Sequence, residues 1–159
     1  MARMDLLDLV QNQRSERYRA LIIHAAPMTG KTRTARRLAE RLPDAIYVDF
    51  LAEFLGHPDW NARIDRYRLD DLAAHLVALE TPGQVIVVDH LDFLLNTWPR
   101  SQRQAFAQWV DEKLDGFTVT EKVFIFFIQS DPDVVDYPMR RHNRLGQARV
   151  YRLEDFNAL

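Results

Sequence analysis

Apolar residues follow two patterns along this chain. Short, nearly uninterrupted runs fall at residues 20–24, 45–49, 84–89, 122–129 and 148–153, and each predicts a β-strand. Between them apolar positions recur three and four residues apart, the spacing of one buried helix face. Met4, Leu6, Leu7, Leu9 and Val10 predict a short amphipathic helix within residues 4–19. A helix starting at Lys31 buries Ala35, Leu38, Ala39 and Leu42, turns Arg33, Arg36, Arg37 and Arg41 outward, and ends at Pro43-Asp44. Phe50, Leu51, Phe54 and Leu55 predict a brief helix before Gly56, and residues 59–68 a loop or broken helix. Residues 69–80 form a longer helix with Leu69, Leu72, Ala73, Leu76 and Val77 on one face, and Thr81-Pro82-Gly83 then turns the chain. Ser101 is placed to cap a helix over 102–115, which buries Ala105, Phe106, Trp109, Val110 and Leu114 and is closed by Gly116. A polar, proline-containing connection over 130–146 leads to the last strand.

Strands alternating with helices predict the α/β class: a doubly wound, five-stranded, mainly parallel sheet with right-handed crossovers and its ligand outside the carboxyl ends of the strands. The β-branched run 84–89 suits a strand covered on both faces, and the most apolar run, 122–129, belongs at the centre. With 159 residues, 47% of them hydrophobic, the chain supplies the core of a single domain over 1–159, residues 1–19 forming its N-terminal helix.

A formal charge of −2 and a pI of about 6.2 lack the basic excess of an obligate nucleic-acid binder, while Arg33, Arg36, Arg37 and Arg41 leave a local contact with nucleic acid open. There are no cysteines, hence no disulfides or thiolate metal sites. His24, His57, His75, His90 and His142 have no metal-ligand spacing, so no metal other than Mg²⁺ is expected. The longest purely apolar run, 123–128, is far short of the roughly 20 residues a membrane span needs. The start Met1-Ala2-Arg3-Met4-Asp5 lacks the apolar core of a secretory signal. A soluble, cytoplasmic protein without membrane partners is the expectation.

Against that background one stretch stands out: Ala25-Ala26-Pro27-Met28-Thr29-Gly30-Lys31-Thr32, between the first strand and the helix that follows. It fits G-x-x-x-x-G-K-[ST] except that Ala25 replaces the first glycine, so the turn must use backbone angles that alanine tolerates. In such a loop, backbone N–H groups and the helix N-terminus face phosphate oxygens, Lys31 reaches the β- and γ-phosphates, and the Thr32 hydroxyl ligates Mg²⁺. Thr34 is grouped with the loop as a nucleotide-binding residue. The second constellation is the strand 84–89, which ends in Asp89, a carboxylate suited to Mg²⁺ at the same sheet edge. His90 stands where ATP-hydrolysing enzymes on this scaffold commonly place a glutamate to activate water, and Asp92 is an alternative base. The strand 122–129 ends in Gln129 followed by Ser130, either of which is placed to meet the γ-phosphate or the attacking water. Arg140, Arg141 and Arg144 lie on the connection near the ligand edge or on the surface beside it, as candidates to neutralise transition-state charge.

This order of phosphate loop, intervening strand, aspartate-ending strand, polar-ended strand, arginines and final strand resembles the nucleotide-binding core of the AAA+ ATPases, over about residues 18–155. Val87-Val88-Asp89-His90-Leu91-Asp92 is similar to the family's acidic box, h-h-D-E-x-D, with His90 at the glutamate. The resemblance implies ATP and Mg²⁺ as ligands, Gln129 or Ser130 at the sensor position, and Arg140, Arg141 or Arg144 as the arginine finger acting on the next subunit's nucleotide. It thereby implies a homo-oligomer or a subunit of a larger complex. The family's helical lid and second sensor have no counterpart before Leu159, which, with the missing glutamate, implies slow or partner-dependent hydrolysis. A core of this size is also similar to the small P-loop subunits encoded in bacterial phage-defence operons of the BREX type.

Three functions stay open at this point. One is an ATP-binding module whose ATP-Mg²⁺ drives assembly, with Lys31, Asp89, His90, Asp92, Gln129 and Arg144 in the catalytic roles. Another is a small-molecule kinase in which Asp49, ending the second strand, holds the acceptor hydroxyl. The third is a protein or DNA adaptor that keeps the fold without hydrolysing ATP, the direction in which Ala25 and His90 point.

Overall fold

In the computed structural model, which describes residues 3–159, five parallel strands form one sheet. Met1 and Ala2 of the N-terminal start lie outside the described residues. The strands are β1 (Leu21–Ala25), β2 (Ala45–Asp49), β3 (Val85–Asp89), β4 (Val123–Gln129) and β5 (Val150–Arg152), in the spatial order β2-β3-β4-β1-β5. The most apolar strand is therefore central, flanked by the strand that leads into the phosphate loop and the strand that ends in Asp89.

Helices cover both faces, as the two-sided hydrophobicity of the strands requires. On one face Leu21, Ile23, Val85, Val87, Val123, Ile125 and Phe127 pack with α1 (Leu6–Gln13) and α2 (Lys31–Arg41) through Leu6, Val10, Ala35 and Leu38. On the other, Ile22, Ile86, Val88, Phe124, Phe126 and Ile128 pack against residues of α3 (Phe50–Leu55), α5 (Leu69–Val77), α6 (Asp92–Thr97) and α7 (Arg100–Glu112). Because side chains alternate along a strand, Ala25, Asp89 and Gln129 fall on the α2 side at the carboxyl edge, with Tyr47 on the same side two residues before the end of β2. Sheet parity alone thus gathers candidate residues from four strands beside the N-terminus of α2.

Several boundaries differ from those the pattern predicts. The broken segment 59–68 contains α4 (Pro58–Ala62) and a 3₁₀ turn, Ile64–Arg66, and α5 stops at Val77 rather than at residue 80. Ser101 is not a cap: α7 begins at Arg100 with Pro99 as its N-cap, so Ser101 falls inside the first turn. Gly116 does not close α7, which ends at Glu112. Instead Asp115 bridges to Tyr18, and the Gly116 N–H donates to the Arg17 carbonyl at 2.6 Å. A Cβ there would stand 3.0 Å from the Arg17 carbonyl oxygen and 2.7 Å from Arg19 Nε, so any larger residue must displace the Arg19 side chain and crowd the Arg17 backbone. The Arg17 guanidinium hydrogen-bonds Asp115 at 2.8 Å and is the main cause that holds its carboxyl down to about 2. This pair locks the chain leading into β1 to the chain leading into β4. The connection after β4 carries a further short helix, α8 (Pro132–Val135). No helix among the described residues is long and apolar enough to cross a membrane.

Candidate functional site

β1 ends at Ala25, and the chain makes its turn before Lys31 through two left-handed residues, Met28 (φ 61°) and Gly30 (φ 87°). Ala25 is not one of the positive-φ residues, so the position where the motif has glycine tolerates a Cβ here. The Met28 side chain is fully exposed. The Thr29 hydroxyl donates to the Ala26 carbonyl at 2.6 Å, and the Ala25 carbonyl accepts from Ser130 N–H at 3.0 Å, which ties the loop to the end of β4. Gly30 caps α2 without a side chain, and its carbonyl accepts from Thr34 N–H at 3.0 Å. The first N–H groups of an eleven-residue helix are thereby left facing the carboxyl edge.

The Lys31 ammonium lies 3.0 Å from Asp89 Oδ1 and 3.4 Å from Asp92 Oδ2, with its side chain 10% exposed. Asp89 is wholly buried, and a buried carboxylate is costly unless hydrogen-bonded and paired. Its partners meet that need: besides Lys31, Oδ1 accepts from His90 N–H at 2.9 Å and Oδ2 from the Tyr47 hydroxyl at 2.8 Å. Burial pushes the Asp89 pKa up, but Lys31, Tyr47 and Thr32 outweigh it and hold the group below the ordinary carboxylate value. Asp89 is thus an ionised, fixed oxygen donor.

The next residue, His90, is in the left-handed region at φ 62°, a conformation that costs a non-glycine residue about 1 kcal/mol or more. That turn aims its N–H at Asp89 and leaves Nε2 3.6 Å from Asp89 Oδ2. Asp92 opens α6, and its Oδ1 accepts from Gln129 N–H at 2.8 Å, so this carboxylate bridges Lys31 and the end of β4. Ser130 hydrogen-bonds His24 Nδ1 at 2.8 Å. Burial, with Arg152 nearby, lowers the His24 pKa. Beside the loop opens a cleft of about 420 Å³, lined among others by His24, Thr29, Gly30, Thr34, Arg152 and Phe156.

Asp89 and Thr32 offer hard oxygens, the donors Mg²⁺ takes. Among the described residues no three His, Cys, Asp or Glu side chains form a metal cage of their own. One carboxylate and one hydroxyl suit Mg²⁺, which is usually held by one or two carboxylates together with substrate phosphates.

The structure brings together Lys31, Thr32, Asp89, His90, Asp92 and Gln129, but not the arginines. Arg140 and Arg141 donate their backbone N–H groups to Asp111 near the end of α7, at 2.9 and 3.0 Å. The Arg144 guanidinium donates to the Ser15 carbonyl at 2.8 Å, in the segment that leads into β1. These contacts place all three at the amino ends of the strands, neither near the ligand edge nor on the surface beside it, the two places expected for the connection. The reason is that α8 is only four residues long, and the chain after it crosses to where β5 must start. Arg144 therefore cannot meet a phosphate on its own loop, and it is 71% exposed. Asp49 caps α3, its carboxylate accepting from Ala52 N–H at 3.1 Å. Tyr47, His24 and Arg152 belong to the site although no motif marks them. The parity of Tyr47 with Asp49 in its strand is the signal that could have found it.

The sequence profile of the ATPase family associated with various cellular activities (AAA) matches residues 21–153. A search of the curated proteins gives no match.

Proposed function

The chain belongs to the AAA family of ATPases, and from that premise we propose that it is a nucleotide-binding module in which ATP-Mg²⁺ drives assembly with copies of itself or with a larger complex. The single observation that supports assembly is the separation of Lys31 and Asp89 from Arg144, which puts the complementary charge for a γ-phosphate on an exposed surface at the opposite edge. Two molecules stacked edge to edge unite what one keeps apart.

On this proposal the Lys31 ammonium leaves Asp89 and Asp92 for the β- and γ-phosphates, and the N–H groups of the loop close around them. Thr32 and Asp89 would hold Mg²⁺, which would supply the positive charge that offsets the phosphates. Asp92 keeps Gln129 in place as Lys31 moves. His90 supplies no carboxylate to deprotonate water, and its backbone is committed to orienting Asp89. Hydrolysis is accordingly slow in the isolated molecule and depends on a neighbour. A kinase has less support, since the Asp49 carboxylate is engaged in capping α3. A role in phage defence stays outside the proposal because neither the family nor the geometry bears on it.

Mixing variants tests the shared site. Lys31→Ala and Arg144→Ala are each expected to lose hydrolysis, the arginine variant by a factor on the order of 10³. An equimolar mixture recovers activity, because the arginine of one molecule serves the loop of the other. A mixture no more active than its components refutes a site completed by a neighbour.

A further inference from the structure

We propose that Tyr47 is a positioning residue that sets the direction in which Asp89 presents its carboxylate to the metal, an inference that rests on the nucleotide-binding role above. Tyr47 lies on β2, paired in register with Val87, two residues before Asp49 meets Asp89. From there the phenol reaches diagonally across to β3 and donates to Asp89 Oδ2 at 2.8 Å. The other oxygen, Oδ1, holds Lys31 and His90 N–H. Once Lys31 turns to phosphate and the Thr32 hydroxyl to the metal, the carboxylate keeps one donor on each oxygen, the His90 N–H and the Tyr47 hydroxyl. Two donors on different oxygens fix the plane of a carboxylate, whereas His90 alone leaves it free to rotate.

The phenol is itself held. Arg36, on the exposed side of α2, lays its guanidinium 5.3 Å from the centre of the Tyr47 ring. Burial and Asp89 push the hydroxyl pKa up to about 12, so it stays a neutral donor. Any buried phenol needs an acceptor, and here the acceptor is the carboxylate that faces the metal. Residues that orient such a carboxylate typically affect metal affinity by about 10- to 100-fold.

The test measures binding of a fluorescent ATP analogue with and without Mg²⁺ to the wild type, Tyr47→Phe, Arg36→Gln and Asp89→Asn. In Tyr47→Phe the affinity without metal is expected to stay within about twofold, while the gain on adding Mg²⁺ falls about tenfold. Arg36→Gln, at an exposed position that leaves the hydroxyl in place, shifts the same ratio in the same direction by less. If Tyr47→Phe weakens binding equally with and without Mg²⁺, or if the ratio is unchanged in both variants while Asp89→Asn loses it, the positioning role is refuted and the nucleotide site stands. If Asp89→Asn also keeps the full Mg²⁺ gain, the metal role of Asp89 fails, and the inference with it.

Discussion

Lys31→Ala is expected to abolish ATP-Mg²⁺ binding and, less obviously, to destabilise the protein in the absence of nucleotide. The ammonium is the cation for a carboxylate that is 0% exposed, and a second carboxylate, Asp92, lies 3.4 Å away. Removing one partner of a buried pair leaves the other uncompensated and typically costs about 3–5 kcal/mol. Here Tyr47, Thr32 and His90 N–H still serve Asp89, so the cost falls below that range, to about 2–3 kcal/mol. For a chain of this size that lowers the melting temperature by roughly 4–12 °C. Adding Asp89→Asn to Lys31→Ala removes the unpaired charge and is expected to return most of the lost stability without restoring binding. Thermal melting of the two variants checks both halves. If Lys31→Ala melts as the wild type does, Lys31 does not compensate Asp89.

The second large effect lies at the opposite edge. Arg149 is wholly buried, and its guanidinium donates to the carbonyls of Ala20, Asp111 and Arg141 at 2.6, 2.6 and 2.9 Å, with Asp111 Oδ1 at 3.4 Å. Burial lowers the Arg149 pKa, and Asp111 opposes that shift. Asp111 in turn accepts the N–H groups of Arg140 and Arg141. One buried ion pair therefore ties the end of α7, the start of β5, the chain entering β1 and the loop that leads to Arg144. Arg149→Met leaves the carbonyls of Ala20, Val110, Asp111 and Arg141 without this donor and the Asp111 carboxylate without its cation, and about 3–5 kcal/mol of destabilisation is expected in denaturant unfolding. It also releases the Arg140–Arg144 loop, so where the protein still folds, hydrolysis should fall while ATP binding by Lys31 and Asp89 persists. Equal loss of both contradicts a loop held apart from the nucleotide site.

What was legible in the sequence follows from what is local. The apolar runs before Ala25 and through Asp89 specify strands and their ends, and α2 declares itself by the spacing of Ala35, Leu38 and Leu42. The phosphate loop and its aspartate could be placed at one edge because parallel strands share a direction. α6 was less legible: Leu91, Leu94, Leu95 and Trp98 have helical spacing, but a helix of six residues between a strand and Pro99 is too short for periodicity to distinguish it from a loop. The part played by Tyr47 depends on β2 lying next to β3, and strand order is a property of the packed sheet. The position of Arg144 was hidden because a connection's composition does not say at which edge of the sheet it travels. No motif or spacing links Asp111 to Arg149 in the sequence, and only the fold buries them together.

Nucleotide-driven assembly is tested most directly by sedimentation velocity with and without ATP-Mg²⁺, alongside Lys31→Ala. A larger species that forms with ATP-Mg²⁺ in the wild type and not in the variant is the predicted result. A wild-type protein that binds ATP-Mg²⁺ and sediments unchanged contradicts it.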